Sequence, residues 1–306
     1  MKLKKTILLA IFFICSINVI NGQKKSENDL TKQSIKGKVK QLKTITFNAI
    51  EKFGVLTKSG KNGTEITEFN ENGFIIKVTY FDEKNKLTST KKLKYDLKNN
   101  LIEKPSFEGF VIYKYDSNNR CIQEDECKSD RTLKFRTLKK YSQDSLGLLL
   151  EDITYNSKGA FYSKSKYKYD DNGNQIDISW YKKNGELRYN VRKEYDENGN
   201  LTEKEDVIDI LGEPGNTMKY KYNENMQISE TTYVESDGTI RYILTTEYDD
   251  YGNILSENST SDSFMNTYNY NYEYKYDEFG NWIERKETGN GPTERLTIIE
   301  REITYF

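Results

Sequence analysis

The sequence predicts an all-β protein in which tandem antiparallel β-hairpins form one long twisted or coiled sheet. Three observations support this: a turn motif recurs about every 26 residues, apolar and polar residues alternate between turns, and the composition is polar. Only 35% of the 306 residues are hydrophobic, 31% are charged and 24 are tyrosine. Because this composition has too few apolar residues to fill two compact cores, we expect a thin fold with much of its surface in water.

The N-terminus predicts an export signal. The basic segment MKLKK precedes a short apolar run, TILLAIFFICSINVI, and the small residue Gly22 precedes a cleavage point. We therefore expect residues 1–22 to be removed and the protein to lie in the periplasm or at the cell surface, with no integral membrane segment remaining. Residues 23–36 form a polar lead-in, and residues 37–306 form the hairpin repeat domain.

Each repeat is marked by an aromatic residue followed by Asp, Asn or Ser and then a turn. In segments such as YDDNGNQID and YDENGNLTE, the Asp caps a type I turn and the Gly accepts a left-handed conformation. Asn99 and Asn119 take the place of this Gly in two repeats. The marks are Phe69, Tyr95, Tyr115, Tyr141, Tyr169, Tyr195, Tyr222, Tyr248, Tyr276 and Tyr305.

This hairpin geometry predicts which side chains face each other across the strands. The marked tyrosine lies opposite the apolar residue six positions on, a favourable aromatic–apolar pair. The predicted pairs are Tyr195–Leu201, Tyr248–Ile254 and Tyr276–Trp282, with Tyr220–Glu230 and Tyr274–Glu284 two positions further out. We expect the tyrosine hydroxyls to reach water, because a thin sheet exposes them.

A looser second turn divides each repeat, as in YKKNGEL and ESDGTI, and the prolines fall where this turn belongs. The array then contains about 18 strands and would be roughly 90 Å long if flat. Since open twisted sheets of this size curl, we expect a spiral shell or a strongly twisted ribbon, and the sequence leaves the choice open. The strand-like segment LKTITF, before Phe69, is expected to cap the array.

The turn segments resemble the YD repeats of the RHS family, and the likeness covers residues 65–306. The segments YKKNGEL and YVESDGTI are similar to MORN-like repeats, and the whole resembles short exported repeat proteins of Bacteroidota. The resemblance implies a β-repeat fold and a surface location. Large RHS proteins enclose a C-terminal toxin, and because this sequence ends at REITYF without one, we do not expect toxin delivery.

Composition argues against several classes of function. The absence of histidine removes imidazole bases and metal ligands, so we expect no catalytic residues, no metal site and no cofactor. After removal of the signal the chain has 44 basic and 48 acidic residues, and this negative net charge argues against a nucleic-acid-binding protein. Cys121 and Cys127 are too far apart for a disulfide if they share one strand, so we expect two free thiols.

Acidic residues could indicate a calcium site or a glycosidase site, and the sequence argues against both. The turns starting at Asp170 and Asp196 imitate the first ligands of a calcium loop, but the hairpin explains their Gly better. Four acids at equivalent repeat positions could suggest a glycosidase pair, yet their recurrence indicates cross-strand pairing with lysine or tyrosine. These acids are Glu103, Glu203, Glu230 and Glu284.

Our hypothesis about function depends on the tyrosines that the repeat pattern does not require. Segment YNYNYEYKYD places Tyr268, Tyr270 and Tyr272 beside the scaffold residues Tyr274 and Tyr276. We predict a non-catalytic protein that presents an extended interaction surface to an envelope glycan or protein. Carbohydrate binding through stacked rings is the first alternative, and an accessory or immunity role in a toxin system is the second. The candidate ligand-binding residues are Tyr268, Tyr270, Tyr272, Trp180 and Trp282.

Overall fold

The computed structural model describes residues 27–207, 215–261, 267–290 and 295–306. These residues form one four-residue helix and 21 strands, all in one sheet, so the predicted all-β hairpin-repeat fold is confirmed. The predicted signal at residues 1–22 lies outside the described residues.

Helix α1 (Asp29–Lys32) comes first, and the strands follow in chain order. The first ten are β1 (Val39–Lys52), β2 (Val55–Phe69), β3 (Ile75–Phe81), β4 (Leu87–Lys92), β5 (Lys94–Tyr95), β6 (Leu101–Pro105), β7 (Gly109–Tyr115), β8 (Cys121–Lys128), β9 (Leu133–Tyr141) and β10 (Leu149–Asn156). The others are β11 (Phe161–Tyr169), β12 (Gln175–Tyr181), β13 (Leu187–Tyr195), β14 (Leu201–Val207), β15 (Asn216–Tyr222), β16 (Ile228–Val234), β17 (Ile240–Tyr248), β18 (Ile254–Thr260), β19 (Tyr268–Tyr276), β20 (Trp282–Asn290) and β21 (Arg295–Tyr305).

Consecutive strands pair antiparallel along the chain, and the sheet closes on itself. Strands β4 and β5 act as one strand, because only Leu93 separates them and its amide donates to the carbonyl of Ile76 at 3.0 Å. Strand β1 pairs with β2 on one side and with β21 on the other. The predicted curling is therefore confirmed, whereas closure by the N-terminal strand was not foreseen.

The tight turns have the predicted chemistry. In the turn after β13, Asp196 accepts hydrogen bonds from the amides of Asn198 and Asn200 at 2.9 and 2.8 Å. Gly199 follows with a φ of 80°, and Asn99 has the same left-handed conformation at 64°. The predicted hairpin turn is therefore confirmed, with the Asp196 carboxylate accepting hydrogen bonds from backbone amides of the same turn.

The register confirms the inner cross-strand pairs and corrects the outer ones. Tyr195–Leu201, Tyr248–Ile254 and Tyr276–Trp282 are partners as predicted. The prediction that tyrosine faces Glu230 and Glu284 is wrong. The bulge takes up one extra residue, so the Glu partners are the lysines Lys221 and Lys275, with ion pairs of 2.8 and 2.9 Å.

The marked tyrosines tie neighbouring strands together at the tight-turn end of the sheet. The Tyr195 hydroxyl donates to the carbonyl of Gln175 at 3.0 Å, at the start of the adjacent strand. Equivalent bonds of 2.7–3.0 Å are made by Tyr95, Tyr115, Tyr141, Tyr169, Tyr222 and Tyr248. The sequence did not predict these bonds, in which each hydroxyl meets a carbonyl of the neighbouring strand.

We expect Tyr195→Phe to lower the free energy of unfolding by about 1 kcal/mol, because it removes one such hydrogen bond. The measurement is the urea midpoint. Tyr162→Phe is the matched control, since this ring is 51% exposed and packs on Phe135. Equal midpoints for the two variants would show that the tyrosine–carbonyl bonds do not stabilise the fold.

The main apolar cluster lies at the seam where the sheet closes. It contains five of the eleven apolar side chains that are buried among the described residues, with Ile75, Ile303 and Tyr305 packed against it. Its buried members are Leu30, Ile35, Val39, Leu42 and Phe69. The end of the predicted polar lead-in thus supplies core residues, and we call residues 28–39 the N-terminal latch. The latch also bonds the last tight turn, where Asn281 exchanges hydrogen bonds of 2.7 and 2.9 Å with the Lys36 backbone.

Acid should loosen the tight turns. The pKa of Asp196 lies below its ordinary 3.8, chiefly because the Asn200 amide donates to the carboxylate, and backbone amides add to this against partial desolvation. A lowered folded-state pKa gives stability that is present above the unfolded value and is lost as pH falls through the folded value. We therefore expect the temperature of the thermal midpoint to decrease when the pH is lowered below about 4. The Asp196→Asn variant should show a weaker dependence of this midpoint on pH.

Cys121 and Cys127 both lie on β8, and each is a free thiol in the structure. Burial raises the pKa of each thiol, so neither is activated as a nucleophile.

Pro105 ends β6 just before a loose turn, as predicted, while Pro214 and Pro292 lie outside the described residues. Within the described ranges, the chain contains no helix of the length and apolarity needed to cross a membrane.

Candidate functional site

The two faces of the sheet differ in exposure. We define the tyrosine face as the one that carries the alternate tyrosines of β19 and their cross-strand neighbours. On this strand the tyrosines are buried or half-buried, whereas the alternating residues Asn269, Asn271, Glu273 and Lys275 are exposed. The tyrosine face is thus the more covered face, and any ligand held there would be partly removed from water.

The five predicted site residues share this face but do not converge, since Trp282 pairs with Tyr276 at the end of β19 opposite to Tyr268. Tyr268, Tyr270 and Tyr272 are on β19, and Trp282 begins the adjacent strand β20. Trp180 is on β12, eight strands away, where its ring packs on Tyr189 at a centroid distance of 5.0 Å. Trp180 therefore cannot share a small ligand with Trp282, and neither can Tyr268.

Tyr270 is an internal contact of this region. Its side chain is 6% exposed, its ring lies 4.2 Å from the Arg295 guanidinium carbon, and Tyr268 packs beside it at 4.9 Å. Gly289 lies opposite, and an added Cβ there would come within 2.4 Å of the Tyr270 ring. The ring is thus enclosed by its neighbours, so Tyr270 supports the surface rather than offering a face for stacking.

Tyr272 is held by a buried acid. Its hydroxyl donates to Oε2 of Glu257 at 2.5 Å, and Glu257 is only 8% exposed. Burial, followed by the bond to Glu257, raises the pKa of Tyr272 well above its ordinary value. Tyr274 donates to the carbonyl of Ile254 at 2.9 Å, which fits its predicted role as scaffold.

Two arginines on the same face converge on Trp282. The guanidinium carbon of Arg301 lies 3.3 Å from the Trp282 ring centre, and that of Arg285 lies 5.2 Å from it. Arg285 also lies 5.8 Å from the Tyr272 ring centre and forms an ion pair with Glu287. We call Trp282, Arg285 and Arg301 the arginine–tryptophan cluster.

The positive charge of Arg301 is poorly compensated. Among the described residues Arg301 makes no hydrogen bond or ion pair, and the Nε atoms of both Arg285 and Arg301 are buried without a partner. Burial, and then repulsion from Arg285, lowers the pKa of Arg301 to about 9. A half-buried cation that forms no ion pair costs stability, so this arrangement is unfavourable for the protein alone.

Sequence reasoning missed the arginines because of the register error. The bulge places Arg285, not Glu284, opposite Tyr274, and it moves Glu284 to the exposed partner Lys275. Counting the bulge residue would have put Arg285 on the tyrosine face. The sequence therefore does indicate an arginine opposite Tyr274, one residue after the glutamate that the simpler register places there.

Other acidic positions are occupied by cross-strand pairs. An open depression of about 350 Å³ on the tyrosine face includes Glu124 and Glu126 in its lining, yet these pair with Lys139 and Lys134 at 2.7 and 3.2 Å. Glu103 and Glu203 form ion pairs with Lys94 and Lys219, as predicted for the recurring acids. No group of three metal-ligating side chains occurs within the part of the chain that the structure describes.

No protein-family profile matches the sequence, and no curated protein is similar to it. Three solved structures share limited likeness. A porin-like protein from Bacteroides uniformis is 10% identical, with a TM-score of 0.34, over 87% of this chain and 96% of that one. A porin-like protein from Bacteroides vulgatus is 14% identical, with a TM-score of 0.27, over 76% and 98%.

The third structure is a Tc holotoxin pore from Photorhabdus luminescens. It is 13% identical, with a TM-score of 0.23, over 77% of this chain, which spans only 19% of the toxin chain. All three scores are too low to carry an argument about fold or function. The repeat fold therefore stands on the strand pairing itself, and the resemblance to the RHS family remains a resemblance.

Proposed function

We propose that this chain is a non-catalytic, exported repeat protein that presents a binding surface at the cell envelope. The observation that supports this most is the division of roles among its aromatic residues. Those that recur in each repeat bond to the scaffold, whereas Trp282, which fills the repeat position opposite Tyr276, also has two arginine side chains at its ring. A unique cluster on a regular scaffold is typical of a binding site carried by a repeat fold.

Carbohydrate is the ligand class that this surface favours. Trp282 is half-buried, so part of its side chain is open to contact, and flanking Arg and Glu side chains can bond hydroxyl groups. Aromatic rings combined with a few polar groups are what sugar rings require. Export and envelope location rest on the leader-like sequence of residues 1–22.

A glycan array probed with the mature protein tests this proposal. We expect binding to at least one envelope-type glycan, with Trp282→Ala weakening it about tenfold or more, equivalent to roughly 1.4 kcal/mol. Trp180→Ala is the matched control, because it removes the same side chain eight strands away. An array without binding, together with an empty pull-down from envelope extract, would contradict the proposed function. Shortening of a bound glycan over time would contradict its non-catalytic part.

A further inference from the structure

Arg301 presents a positive charge that the described protein residues do not neutralise. Glu65, the acid whose charge acts most on it, lies two strands away, across β1, and accepts a hydrogen bond from Thr67. Glu287 is paired with Arg285. Partly desolvated charges in proteins are normally paired, so a guanidinium that lies on the Trp282 ring and forms no ion pair with a described residue points to an anionic partner from outside the chain.

We propose that Arg301, Arg285 and Trp282 form a binding site for an acidic sugar, whose carboxylate or sulfate group pairs with Arg301. This inference rests on the proposed function and specifies its ligand. The guanidinium fork matches two oxygens of a carboxylate or sulfate group in one plane. Arg301 lies over the Trp282 ring, so a sugar ring would contact the part of this half-buried side chain that stays exposed.

The neighbouring groups suit a sugar better than a free anion. Glu287, beside Arg285, and Glu257, beside Tyr272, carry acceptor oxygens within the same region of the tyrosine face. Sugar hydroxyls can donate to such acceptors, whereas an isolated inorganic anion has no donor to offer them. Arg285 is 29% exposed and Arg301 is half-buried, so a ligand can reach both side chains.

Calorimetric titration of the mature protein tests the site with three probes: tri-galacturonate for carboxylate, a heparin tetrasaccharide for sulfate, and maltotriose as the neutral sugar. We expect at least one acidic probe to bind at least tenfold more tightly than maltotriose. The tighter of the two acidic probes identifies which anionic group the site prefers. Equal affinity for all three, or no binding of any of them, would overturn the inference.

Arg301→Met distinguishes loss of the site from loss of the fold. It should weaken the acidic probe at least tenfold while raising the thermal midpoint of the unliganded protein, because it removes an unpaired charge. Arg192→Met is the charge-matched control, since this 64% exposed arginine pairs with Glu205 at 3.5 Å far from β20, and it should change affinity less than twofold. Unchanged affinity in Arg301→Met would overturn the site, while glycan-array binding that depends on Trp282 would leave the proposed function standing.

Discussion

Val39→Asp is expected to unfold most of the protein, with a loss of about 4 kcal/mol or more in the free energy of unfolding. Val39 is fully buried in the seam cluster, and its strand β1 pairs with both β2 and β21. A carboxylate there has no cation to pair with among the cluster residues. Since domains are typically stable by only about 5–15 kcal/mol, this one change removes a large part of the total.

Val55→Asp is the matched control for that experiment. Val55 begins β2 at the tip of the β1–β2 hairpin and is 56% exposed, so the same substitution should cost no more than about 0.5 kcal/mol. Circular dichroism in increasing urea measures both variants. A Val39→Asp protein as stable as the Val55→Asp protein would show that the seam cluster does not hold the sheet closed.

Gly109→Ala is expected to cost about 3 kcal/mol. An added Cβ at Gly109 would lie 2.2 Å from the carbonyl oxygen of Cys127 and 2.5 Å from the carbonyl carbon of Lys128. Both atoms are backbone, so relief requires β7 and β8 to move apart and to weaken their shared hydrogen bonds. Because each strand links its two neighbours in a closed ring, the displacement cannot be taken up at a free edge.

Gly60→Ala provides the comparison for this second change. Gly60 also lies within a strand, β2, but no atom comes within 4 Å of its added Cβ. We expect a change of no more than about 0.5 kcal/mol there. Similar urea midpoints for the two alanine variants would refute the close approach of β7 and β8.

The hairpin rhythm was predictable from the sequence because its signals are local. Asp196 and Gly199 specify the turn through short-range hydrogen bonds and backbone conformation, and Tyr195 then meets Leu201. Each of these depends on residues less than ten positions apart.

Closure and the arginine–tryptophan cluster were harder to predict for two different reasons. Pairing of β1 with β21 depends on accumulated strand twist and on packing of Leu30 and Val39, which no local pattern reports. The cluster was hidden by a single bulge residue, which exchanged Glu284 for Arg285 opposite Tyr274. A one-residue register error moves every later side chain to the other face, so the predicted aromatic site lacked its charges.

Disulfide trapping across the seam tests the closed sheet most directly. Lys43 and Glu302 are cross-strand partners on β1 and β21, so Lys43→Cys with Glu302→Cys should crosslink, in a Cys121→Ser, Cys127→Ser background. Antiparallel partners have Cα atoms about 4.5–5.5 Å apart, within disulfide reach. Lys43→Cys with Lys221→Cys on the distant strand β15 should not crosslink.

Mass spectrometry of the oxidised, unreduced protein reads out the bond. The closed sheet predicts nearly complete intramolecular linkage between residues 43 and 302. An open ribbon of the same hairpins would hold these positions roughly 90 Å apart. Free thiols at both positions after oxidation of the folded monomer would contradict the closed sheet.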